Sequence, residues 1–99
     1  MRRKKPHDYI RQTQELFILD YLAERNVTHL RDRCFHDAFW DRFGGQRQHI
    51  GDGIPVNMAM ARLRCMTRRG ALTSQWVYAP EGKRLEYRLS AKAIRERAS

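Results

Sequence analysis

Ile54-Pro55-Val56-Asn57-Met58-Ala59-Met60-Ala61-Arg62-Leu63-Arg64-Cys65-Met66-Thr67-Arg68-Arg69-Gly70 leads into an alternating run over residues 71–78, a turn at Pro80-Glu81-Gly82-Lys83, and a second alternating run over residues 84–90. Val56, Ala59, Met60, Leu63 and Met66 recur three and four residues apart, so they share one face of a helix. Asn57, Ala61, Arg64, Cys65 and Arg68 fall on the opposite face, with Arg62 and Arg69 on its flank. Two signals compete for the start. Pro55 suits the first helical position, while Asn57 suits the cap, where its side-chain oxygen accepts a bond from an orphan N–H. We favour Asn57. Gly70 ends the helix, because glycine takes the left-handed conformation at little steric cost. Beyond it, Leu72, Ser74, Trp76 and Tyr78 share one face of a strand, and Leu85, Tyr87 and Leu89 share one face of the next. Proline at the second turn position and glycine at the fourth suit a type I turn. A lone hairpin is marginally stable, so this one must pack on helices. Trp76, Tyr78 and Tyr87 are expected in the hairpin core in preference to serving as base-stacking platforms.

Residues 53–80 hold four Arg and no Asp or Glu. Nothing on that helix face neutralises the arginines, and DNA phosphates would supply the missing negative charge. Arg62, Leu63, Met66 and Gly70 on the helix, followed by Tyr87, Leu89 and Ser90 at the end of the second strand, form a pattern that resembles the recognition helix and wing of winged helix-turn-helix DNA-binding domains. The resemblance implies an α+β winged-helix fold: a three-helix core, a long turn before the recognition helix, a two-stranded β-hairpin wing and a short C-terminal helix. It also implies that Asn57, Met58, Ala61 and Arg62 lie near the front of the recognition helix, followed by Arg64, Arg68 and Arg69. An arginine forking onto guanine, or Asn57 onto adenine, is the chemistry such a face allows. Lys83 and Arg84 would occupy the wing tip and meet phosphate or the minor groove.

Upstream, residues 13–24 read as a first helix with Leu16, Leu19, Tyr21, Leu22, Ala23 and Phe17 in a broad apolar stripe; a start near Tyr9 is the alternative. Asn26 breaks it, and residues 27–30 read as a short extended piece. Winged-helix domains often place a short strand there that completes a small sheet with the hairpin. Residues 31–43 read as a second helix with Cys34, Phe35, Ala38 and Phe39 inside and Gly44-Gly45 as its stop. Residues 44–53 hold four Gly and read as a loop, long for a helix-turn-helix. Its Gln46, Arg47, Gln48 and His49 either touch a DNA backbone or belong to a mobile surface loop. Residues 1–7 read as a flexible basic arm in which Arg2, Arg3, Lys4 and Lys5 either reach DNA or form a solvated tail. Residues 8–99 then form a single domain, and residues 91–98 a short final helix capped by Ser90.

Ninety-nine residues suffice for one modest core. The net charge of +9 is unevenly spread: residues 8–25 carry −2, residues 53–80 carry +4 and residues 81–99 carry +3. That asymmetry favours a nucleic-acid face over general stickiness. Cys34 and Cys65 make no disulfide framework, no run approaches the roughly 18 apolar residues of a membrane span, and the basic N-terminus lacks a signal-peptide stretch. A cytoplasmic, nucleoid-associated protein is expected. Cys34, His36, His49 and Cys65 lack the tight pairs of a zinc site, with Cys34 expected buried and the histidines exposed. No nucleophile–base set or phosphate-binding loop is recognisable. We therefore expect no enzyme activity, cofactor or metal, and no membrane partner. The expected function is sequence-specific double-stranded DNA binding, as a small bacterial or phage-type transcriptional regulator, with a homodimer as a further partner. Two alternatives remain: a replication or recombination accessory factor, and an interaction module gripping an acidic protein.

Overall fold

The computed structural model describes the backbone of residues 6–43, 48–50, 54–56 and 58–98, and the side chains of residues 11–43 and 58–98. Among these the chain is α+β, with four helices and a three-stranded antiparallel sheet. The order is α1 (Pro6–Arg25), β1 (Thr28–His29), α2 (Arg33–Phe43), β2 (Gln48–Ile50), β3 (Ile54–Val56), α3 (Met58–Arg68), β4 (Leu72–Ala79), β5 (Gly82–Leu89) and α4 (Ala91–Ala98).

Helix α1 is longer than its periodicity suggests. It starts at Pro6, where the ring's fixed φ and missing N–H suit the first helical position, so Pro6 and His7 belong to the helix and not to an arm. Its inward stripe also differs from the expected one. Gln14, Ile18 and Leu22 are buried at four-residue spacing, whereas Leu16 and Ala23 face solvent. Ile18, fully buried, is the residue that the expected stripe omits. Asn26 ends α1 in the left-handed region, with φ 75° and its N–H on the Leu22 carbonyl.

Helix α2 begins at Arg33 because Asp32 caps it: one carboxylate oxygen accepts from the Phe35 N–H at 3.3 Å, and the other accepts from the buried Thr28 hydroxyl at 2.8 Å. Its inner face corrects the cysteine and histidine expectation. Cys34 is exposed, while His36 is fully buried, with Nε2 and the Leu30 carbonyl 2.7 Å apart. Part of the expected loop over residues 44–53 is strand: β2 pairs antiparallel with β3, which places Pro55 in an edge strand and not in the first turn of a helix.

Helix α3 buries Ala59, Met60, Leu63 and Met66, four of the five residues of the stripe read from the sequence; the fifth, Val56, belongs to β3. It closes with two carbonyl-saving bonds, Ala71 N–H to Met66 and Gly70 N–H to Thr67, and Gly70 has φ +86°. The sheet order is β1-β5-β4, with Leu72 opposite Leu89, Ser74 opposite Tyr87 and Trp76 opposite Leu85. The connection is Pro80-Glu81, so Lys83 belongs to β5 and not to the turn. Strand β1 sets Thr28 against Tyr87, the short third strand. Ser90 caps α4, its hydroxyl oxygen accepting from Ala93 N–H at 3.1 Å.

One core joins these layers. Ile18 and Leu22 of α1 meet Phe35 and Phe39 of α2, Ala59, Leu63 and Met66 of α3, Leu72 of β4 and Tyr87 of β5. Phe17 extends it edge-on to Phe39 and Phe43, at 5.8 and 5.6 Å between ring centroids. Each fully buried large side chain contributes about 1.5–3 kcal/mol of transfer free energy. The far end of the hairpin lies beyond this core. Trp76 is 58% exposed and Tyr78 88% exposed, so only Tyr87 of the three aromatics is core.

Candidate functional site

The four arginines of residues 62–69 divide into two pairs with different surroundings. Arg62 and Arg69 turn toward α1, where Glu15 receives both. The Arg62 guanidinium lies 3.9 Å from one carboxylate oxygen, and Arg69 bonds the other. Glu15 is 13% exposed and Arg62 16%, so this contact is largely shielded from water. The expectation that nothing neutralises the helix face is thus corrected for these two: the acid comes from another element. One turn or less away, Arg64 and Arg68 are exposed and make no ion pair among the described residues.

The hairpin divides its cations in the same way. Arg84 projects from the sheet face opposite Leu72 and Tyr87, where Glu86 accepts from its Nε and a terminal nitrogen at 3.0 and 2.9 Å, and Glu81 from the other at 3.2 Å. The bond to Glu86 raises the Arg84 pKa above the ordinary arginine value. Arg88 approaches the second Glu86 oxygen at 3.5 Å, which leaves that carboxylate buried between two guanidinium groups. Lys83 instead lies over the Trp76 ring, 5.0 Å from its centroid.

Arg64, Lys83, Arg84 and Trp76 line one groove of about 340 Å³, together with His29, Leu30, Arg31, Leu85 and Tyr87. Three segments build it: α3 on one side, the hairpin on the other, and residues 29–31 at the end. No family model, curated protein or solved structure matches the chain. The chemistry of the site therefore rests on the groove itself. Its lining combines half-buried Leu30 and Leu85 with exposed Arg31, Arg64 and Lys83 and the exposed indole of Trp76. Such a surface attracts anions and offers an aromatic face. His29 also belongs to the lining. Burial, then the nearby Arg84, lowers its pKa below 6.5, and its Nδ1 accepts from the Arg31 N–H at 3.2 Å.

Of the other residues singled out, Met58 opens α3 half exposed, with the Gln14 amide nitrogen 3.1 Å from its sulfur, and Ala61 is exposed one turn on. Asn57, Arg2, Arg3, Lys4, Lys5 and Arg47 lie outside the described residues. The sequence reading missed Arg31, His29 and Trp76 as groove residues. Strand length carried a signal for Trp76: eight residues of β4 span about 26 Å, and eleven of α3 about 16 Å, so the hairpin overhangs its helix. No group of three or more His, Cys, Asp or Glu placed to hold a metal occurs among the described residues. Among them, too, no helix is long and apolar enough to cross a membrane.

Proposed function

We propose that this domain binds double-stranded DNA sequence-specifically as a winged helix, with α3 as recognition helix and the β4–β5 hairpin as wing, in a small transcriptional regulator of bacterial or phage type. The observation that carries the reading is the convergence, from two elements, of cations that make no ion pair among the described residues. Arg64 of α3 and Lys83 of β5 border one groove with Arg31, and Arg68 extends the basic surface along α3. The ion pairs sharpen the assignment. Arg62, Arg69 and Arg84 are partly neutralised within the fold, which leaves Arg64, Arg68, Lys83 and Arg31 as the principal contacts among the described residues. The succession of α3, β4 and β5 and the short β1 strand are also in keeping with the family pattern, from which the β2–β3 pair departs. Phosphate contacts position such a domain, and base-edge contacts from the exposed helix face specify the site.

Selection of bound sequences from a random duplex pool tests this reading. A preferred site should emerge. Against it, Arg64→Ala should lose about 1–3 kcal/mol, with a smaller loss on random duplex, as for a base-edge contact. Lys83→Ala should weaken both duplexes about equally and make the salt slope shallower by about one, as for a phosphate contact. A pool that returns no consensus would refute sequence specificity.

A further inference from the structure

Trp76 lies on the same sheet face as Leu72 and Tyr87, yet it keeps 58% of its surface exposed where those two keep 2% each. It lines the basic groove, and Lys83 lies over one face of its ring. The same lining carries Leu30 and Leu85. An aromatic face, apolar side chains and flanking guanidinium groups suit a planar ring that bears an anion. A nucleotide has that composition. Inside a duplex each base is covered above and below by its neighbours, so away from the duplex ends an unpaired base is what offers a face to an indole. The groove volume of about 340 Å³ lies at the small end of ligand sites, which suits one nucleotide.

We propose that the groove between α3 and the hairpin holds one unpaired nucleotide of DNA, its base against Trp76 and its phosphate at Arg31, beside a duplex carried on α3. This rests on the duplex-DNA reading and adds a substrate class to it: DNA in which a single strand adjoins a double strand, as at an overhang, a gap or an extruded base. Transcriptional operators do not require that feature; replication and recombination intermediates contain it.

The test compares blunt duplex with the same duplex carrying a short DNA overhang, at fixed salt. The overhang should tighten binding by about fivefold to about a hundredfold, the value of one base stacked on an aromatic side chain. Trp76→Ala should abolish that gain, so that the variant binds the overhang and blunt duplexes alike, and should leave the melting temperature close to the parent's. Trp76→Phe should keep most of it, because the stacking surface remains. Equal affinity for the two DNAs, or a gain that survives Trp76→Ala, would overturn the proposal. A larger gain from an RNA overhang, or its loss to competition by free mononucleotide, would overturn the assignment to DNA strands. Failure to bind the blunt duplex would count against the duplex reading itself, and so against this inference.

Discussion

Single residues separate structure from binding in α3. Arg62 and Arg64 are two positions apart and chemically identical, yet Arg62 meets a shielded carboxylate and Arg64 meets the groove. Arg62→Ala should cost about 1–3 kcal/mol of stability, because it leaves Glu15 shielded and less well paired. Arg64→Ala should leave the melting temperature unchanged. Thermal melts of both variants check the division, and equal melting temperatures would contradict it. His29 provides a pH test. Burial and Arg84 lower its folded pKa below 6.5, against the opposite and smaller pull of Asp32, Glu86 and Glu81. Between the unfolded value and the lowered one the unfolded chain binds more protons, so stability falls as pH falls through that window. His29→Gln should remove that part of the decline in denaturant titrations across the window. An unchanged pH profile would contradict the assignment. The pairing of Arg62 was illegible in the sequence because its partner Glu15 lies 47 positions upstream on another helix.

At the scale of elements, α3 and the hairpin were legible because their local signals agree with their packing. The three- and four-residue spacing of Ala59, Met60, Leu63 and Met66 is met by burial of all four. Gly70 has φ +86°, and a Cβ added there would meet nothing within 4 Å. Gly70→Ala should therefore cost about 1–2 kcal/mol from the left-handed backbone alone, and Gly70→Asn should cost less. Equal losses, measured by denaturant unfolding, would mean that something other than φ sets the cost. Two elements were less legible. In α1 a charged and polar surround hides the Gln14, Ile18, Leu22 stripe, since Gln14 is polar yet buried and Leu16 is apolar yet 58% exposed. In α2 the buried His36 is held by the Leu30 carbonyl, a contact between segments that periodicity does not encode. Alternation also placed Trp76 and Tyr78 on the core face correctly, but whether a helix lies beneath that part of the face depends on how far the strands outrun α3.

Over the whole molecule, the acidic and basic regions of the sequence are brought into partial contact. Glu15 and Asp20 of α1 pair with Arg62 of α3, with Arg69 just past its end and with Arg97 of α4, so α1 neutralises charge on residues that do not line the groove. Composition alone supplied the net +9 and its uneven spread along the chain; the fold decides which cations remain available. Arg31, Arg64, Arg68 and Lys83 line or flank the groove, and Arg2, Arg3, Lys4 and Lys5 add four further positive charges in the sequence. If these neutralise about five phosphates of a duplex, log affinity should fall against log salt with a slope near −4.5. The measurement that bears most directly on the central claim is that salt titration on a blunt duplex, for the parent and for the Arg64→Ala, Lys83→Ala double variant. The parent should show the steep slope and the double variant one shallower by about one, from the lost Lys83 phosphate contact. A parent slope near zero, or a double variant as steep as the parent, would contradict binding through this groove.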